Sequence, residues 1–298
     1  MNEIYLPIVV TSGQPILGVQ VDANILGNEQ YVIENRMYQT PARWSGLDSW
    51  LLYNITMFGD NPFILGTKTC PLEYRLWEDF LGSPPKPQYY YKFGEWVSTI
   101  SQEYHPWGIE IWNEPDVPKR FSVPDYYGSW VDDDDKFYNS GKNYGKFCGE
   151  VYDVIHNAGT KVIAGALLGS ESSLEFLSGA LDARLRADYI SYHTYLYMTD
   201  DFDKPFRFVE KLRQVTNLPL ILSETSIIGD GSPTHLQRQA DYLTYLRKHQ
   251  YWEGIDLILW YSLFNNWHNT ALVQNTLPTL AMEVWRNLVD PQQFISGR

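Results

Sequence analysis

The chain has 298 residues, 44% of them hydrophobic, enough for one large domain or two small ones with a sizeable core. Its formal charge of −13 excludes nucleic acid and anionic membrane surfaces as natural partners, because both repel an acidic protein. No apolar run reaches the ~18 residues of a membrane helix.

In chain order, residues 16–20 read as a first strand, 30–38 as a helix, 42–44 as a short strand and 47–58 as a second helix. Residues 63–67 form the third strand and 95–103 its helix. From there the rhythm is clearer: strand 108–112, helix 144–158, strand 161–166, helix 174–185, strand 189–193, helix 205–215, strand 218–223, helix 233–250, strand 255–261 and helix 280–288. Eight strands, each followed by a helix, predict an α/β fold: a single (β/α)8 TIM barrel occupying residues 1–298 as one domain. Two long loops, 70–92 and 116–143, leave the C-terminal ends of strands three and four, the face on which barrel enzymes build their sites. Both are rich in aromatics, whose flat faces suit the C–H faces of sugars. Asp132 to Asp135 is a charge run, read as a solvated stretch with calcium binding as the alternative. Cys70 and Cys148 are too few for a disulfide framework. They are expected as buried thiols, with a single bridge as the alternative. Residues 1–10 lack the basic and apolar segments of a signal peptide, so no export signal is expected in the chain as written; a removed one leaves the compartment open.

Two glutamates close apolar strands. Glu114 ends strand four and Glu224 ends strand seven. A carboxylate at the end of a buried strand is costly unless it is paired or used. Each could merely pair with an arginine, yet two that converge over one barrel mouth read better as a catalytic pair. Hydrolysis of a glycosidic bond needs two carboxyls, one to protonate the leaving oxygen and one to attack or stabilise the oxocarbenium-like centre. The first must hold its proton near neutral pH, which an apolar setting or a neighbouring carboxylate favours. A separation of about 5–5.5 Å predicts retention of configuration. Glu110, on the same strand face as Glu114 but deeper, is expected as a buried, paired carboxylate.

The segment Ile109-Glu110-Ile111-Trp112-Asn113-Glu114-Pro115-Asp116 resembles the strand-four motif of glycoside hydrolase clan A. These are the retaining (β/α)8-barrel glycosidases that include family 5 cellulases and mannanases and family 39 glycosidases. The resemblance implies that Glu114 is the acid/base and that Asn113 bonds a sugar 2-hydroxyl. Leu222-Ser223-Glu224 resembles the clan's nucleophile segment. Ile190 to Tyr195 resembles its strand six, which implies that His193 and Tyr195 line the cleavage subsite with Tyr195 against the nucleophile. Leu259-Trp260-Tyr261 resembles strand eight, implying Trp260 as the floor under the reacting sugar. Arg43 resembles a strand-two arginine that keeps the nucleophile charged. Trp112, Trp260 and His193 also admit plain core readings. The family 39 pattern would place a histidine near Ser45, and none is there.

The resemblance implies no metal or organic cofactor. The expected partner is a poly- or oligosaccharide, acted on by a monomer. An endo-β-glucanase or β-mannanase is favoured over an exo-acting xylosidase or glucosidase, since long aromatic loops would bracket several sugar units. A non-catalytic carbohydrate-binding barrel would not need both glutamates. A metal-dependent hydrolase would want clustered histidines, and the six here are scattered. Lys68 offers a lysine for phosphate chemistry, but no anion loop follows strand seven or eight.

Overall fold

The computed structural model describes residues 16–20, 42–45, 63–77, 82–119, 129–132, 136–248, 255–262, 269–274 and 277–288. Its backbone is an α/β fold on a parallel sheet. The strands are β1 (Ile16–Gln20), β2 (Ala42–Ser45), β3 (Phe63–Gly66), β4 (Gly108–Ile111), β5 (Lys161–Leu167), β6 (Tyr189–Leu196), β7 (Leu220–Ile227) and β8 (Ile255–Trp260). They pair in chain order, all parallel, and β8 pairs back onto β1. Crossover helices are α1 (Tyr90–Tyr104), α2 (Phe137–His156), α3 (Glu171–Asp182), α4 (Lys204–Val215), α5 (Pro233–Lys248) and α6 (Leu280–Leu288). The helices expected at 30–38 and 47–58 lie outside the described residues.

Because a parallel sheet of this kind is covered on both faces, alternate residues of each strand feed two different cores. Ile64, Ile163, Ile221, Leu257 and Leu259 pack together inside the sheet. Their strand neighbours Leu65, Ile109, Ile111, Val162, Ala164, Ile190, Tyr192, Leu222, Ile258 and Trp260 join the larger core under the helices. On β6 this alternation places Ser191, His193 and Tyr195 on the inner face.

The inner alternation is broken towards the C-terminal ends of the strands. The β6–β7 register pairs Tyr192 with Leu222 and then His193 with Glu224, so Ser223 is an extra residue, a β-bulge. Strict period two would put Glu224 on the outward side of Leu222; the bulge turns it inward. A second shift lies between Ala164 and Leu167 on β5, where Gly165 and Ala166 take positive φ of 119° and 51°.

Several expected boundaries move. Helix α1 starts five residues earlier than the periodicity indicates and α2 seven earlier, because aromatics of their first turns (Tyr90 and Phe93; Phe137) pack on the core. Strands β6 and β7 run beyond the expected ends at 193 and 223. Their last residues are polar or mixed, a composition that disguised them as loop. Cys70 and Cys148 are both buried and free, so the bridge alternative is excluded.

Candidate active site

Glu114, Glu224 and His193 meet at the C-terminal end of the sheet. Their side chains are nearly or wholly buried. His193 Nδ1 lies 2.9 Å from Glu114 Oε1 and 3.6 Å from Glu224 Oε2. The Tyr195 hydroxyl donates to Glu224 Oε2. One donor atom from each of the three residues lies within 4.8 Å of the others. Such a spacing also invites a metal ion, but these atoms are engaged with one another: Nδ1 faces Oε1, and Oε2 of Glu224 accepts a hydrogen bond from the Tyr195 hydroxyl. The arrangement is that of a hydrogen-bonded network. Glu114 Oε2, by contrast, is buried and has no hydrogen-bond partner among the described residues.

Electrostatics separate the groups. Burial pushes the pKa of Glu114 upward; the hydrogen bond and charge of His193 oppose this, while the charges of Glu224 and Asp116 add to it. A carboxyl so placed keeps its proton to higher pH than a solvated one. The Tyr195 phenol is held well above its ordinary value, first by burial and then by Glu224, Tyr261 and Glu114. It is therefore a hydrogen-bond donor at any working pH.

How the sequence places Glu114 follows from the end of β4. The Thr67 hydroxyl accepts the Trp112 N–H at 2.9 Å, and the Thr67 N–H donates to Glu110 O at 2.8 Å. Trp112 turns its backbone to φ 73° and packs its ring among Phe93, Trp130 and Phe147, which confirms the core reading of that residue. Glu114 then takes φ 48°. Asn113 is buried beside it. Glu110 is fully buried deeper in β4.

The structure thus gathers Glu114, His193, Tyr195 and Glu224, with Asn113 buried next to Glu114 along the chain. It does not bring Trp260 to them. Trp260 lies opposite Thr225 on the outer face, its ring 6.0 Å from Tyr242 of α5 and its indole N–H donating to Thr270 O. The next residue, Tyr261, sits edge-on to Tyr195 with ring centroids 5.6 Å apart. Tyr261, just past the end of β8, is the aromatic that reaches the site; apolar residues on both faces of the strand leave no sign of it in the sequence. Arg43 sits on β2 at the register position of Ile64 and Gln20; its side chain lies outside the described residues. Of the acidic run, Asp133 to Asp135 lie outside them too. Asp116, the last residue of the strand-four motif, is a further buried carboxylate, 2% exposed.

No family model matches the sequence, and no curated protein matches it. Solved structures do share its fold. A family 39 glycoside hydrolase from the gut symbiont Bacteroides cellulosilyticus WH2 superposes with TM-score 0.65 at 14% identity, covering 92% of this chain and 63% of that one. An endo-β-1,3-glucanase of family 128, subgroup II, from Sorangium cellulosum gives TM-score 0.60 at 13% identity over 92% of this chain and 98% of that one. A psychrophilic family 10 endo-β-1,4-xylanase gives 0.62 at 13% over 92% and 96%. The chain therefore spans under two thirds of the family 39 protein and nearly all of the other two. At these identities the likeness is one of fold, and the three structures named are glycoside hydrolases.

Proposed function

We propose that this protein is a retaining glycoside hydrolase on a complete (β/α)8 barrel, with Glu114 as acid/base and Glu224 as nucleophile. The observation that carries this reading is the buried pair of carboxylates bridged by His193, with donor atoms within 4.8 Å. So close an approach of the nearest oxygens supports the ~5–5.5 Å carboxyl separation of retaining enzymes over the ~6.5–9.5 Å that leaves room for an inverting water. The fold shared with glycoside hydrolases supports it.

In the first step, Glu114 Oε2 delivers its proton to the glycosidic oxygen as the bond to the anomeric carbon breaks. A carboxylate oxygen of Glu224 closes on that carbon and forms a glycosyl ester. Tyr195 holds the other oxygen of Glu224 and so fixes the angle of attack. In the second step Glu114, now ionised, takes a proton from water, and the resulting hydroxide equivalent displaces Glu224. His193, against both carboxylates, keeps Glu114 oriented through each change of charge. Asn113 is assigned to a sugar hydroxyl, Tyr261 takes over the aromatic role expected of Trp260, and Arg43 is kept as the candidate partner of Glu224. The substrate is a β-linked poly- or oligosaccharide, with an endo-acting β-glucanase or β-mannanase preferred and an exo-acting xylosidase or glucosidase as the second reading.

The test is hydrolysis of β-glucan, mannan, xylan and a panel of aryl β-glycosides, followed by proton NMR of the first sugar released. A β-anomer appearing first supports double displacement. An α-anomer first, or no turnover of any of these by the intact protein, rejects the proposal. Undiminished turnover by Glu114→Gln and Glu224→Gln would reject the assignment of the two residues.

A further inference from the structure

Glu114 sits on backbone that a residue with a Cβ avoids. Its φ is 48°, and Ala166, whose carbonyl accepts the Glu114 N–H at 3.1 Å, stands at φ 51°. Left-handed conformations of this kind are unfavourable outside glycine and persist only where the surroundings over-determine them. Two residues beyond each of these, the chains are joined a second time. The Leu168 N–H donates to both Asp116 oxygens, each at 3.1 Å, and the Ser173 hydroxyl of α3 donates to Oδ2. Asp116 is as deeply buried as the site itself, and every hydrogen bond to its side chain arrives from a donor, the pattern of a carboxylate. The two bridges close a ring across the ends of β4 and β5 with both left-handed residues inside it.

We propose that Asp116 is a positioning residue: its clamp onto Leu168 and Ser173 holds the left-handed turn that aims Glu114 at His193 and Glu224. Only the kinetic part of the test rests on the glycosidase reading. The placement of Glu114 can be followed without substrate.

Asp116→Asn and Asp116→Ala, made in the full chain with [δ-13C]glutamate, separate position from charge. Both remove the same ionisable carboxyl from the surroundings of Glu114. Asparagine still offers an oxygen to the Leu168 N–H and an N–H to the Ser173 hydroxyl; alanine offers neither. The Glu114 resonance is identified by its loss in Glu114→Gln and titrated in each variant. The other groups facing Glu114 are His193 and Tyr195 on β6 and Glu224 on β7, unchanged throughout. The expected result is a Glu114 chemical shift and titration midpoint that differ between the asparagine and alanine variants. With an aryl β-glycoside, kcat should fall about 10- to 100-fold in Asp116→Ala, with KM little changed and most of the loss restored in Asp116→Asn. Asparagine and alanine variants that titrate alike at Glu114 overturn the proposal. Should the alanine variant fail to fold, Ser173→Ala removes one donor of the clamp, and an unmoved Glu114 there overturns it equally. Absence of turnover on every glycoside counts against the glycosidase reading and leaves the NMR comparison to decide the clamp.

Discussion

Burial keeps the proton on Glu114 to higher pH than on a solvated glutamate, and that preference has a cost outside catalysis. Its pKa is raised in the folded state, chiefly by burial. Its contribution to stability is thus full below the unfolded value, about 4.3, and is lost as pH rises through the folded value. Glutamine carries no such liability. Glu114→Gln is expected to melt above the wild type at neutral pH, with the gap closing near pH 4, while kcat on polysaccharide falls about 10²- to 10⁴-fold. Thermal melts across pH check the first part; a variant no more stable than wild type at pH 7 would contradict it. The residue scale also shows what a linear sequence hides. Glu114 and Glu224 stood out because acids at the ends of apolar strands are conspicuous. The choice between Trp260 and Tyr261 was invisible, since both faces of β8 are buried and hydrophobicity carries no record of which side is which.

Among the elements, the pairing of α2 with α3 is set by glycine. Gly145 lies so close to Ala180 O that an added Cβ would collide with backbone, and Gly141 and Gly179 meet the carbonyls of Phe176 and Tyr138 in the same way. Neither helix can yield, because the obstacle in each case is main chain. Gly145→Ala is expected to destabilise the fold by about 1–3 kcal/mol through overpacking, outweighing the alanine gain in helix propensity. Chemical denaturation measures this, and a neutral substitution would mean that the helices separate freely. Since α3 carries Ser173, the same contact sets the distance from α2 to the Asp116 clamp. The helices themselves were legible in the sequence; their first turns were not, because aromatic residues there serve the core rather than the helical stripe. The bulge at Ser223 was equally hidden: nothing in Leu222-Ser223-Glu224 announces an extra residue, yet without it Glu224 would face the helices.

For the whole molecule, the alternation of strands and helices was readable because crossover connections impose a rhythm of apolar runs and turns that survives without tertiary information. Which loops meet over the sheet was not, since that depends on register and on long-range pairs such as Trp112 with Thr67. The network of Glu114, His193, Tyr195 and Glu224 supplies its own donors and acceptors, and the proposed chemistry runs on carboxyls alone. Prolonged dialysis against EDTA is therefore expected to leave kcat unchanged within about twofold, as the two-carboxyl mechanism requires. A loss restored by added divalent metal would favour a metal-dependent reaction at the same three residues instead.

The two cysteines have a use that no reaction scheme gives them. Both are buried and unbridged, and burial pushes each thiol up to about 12, so neither is a nucleophile while its surroundings stay closed. Cys70 lies just past β3, its Sγ against Ser83 O; Cys148 lies inside α2. A thiol reagent added to the native protein can reach one only when the segment after β3 opens, and the other only when α2 comes away. The chain carries two internal clocks, one on the rim of the site and one in its scaffold, whose relative rates tell whether the mouth breathes independently of the body.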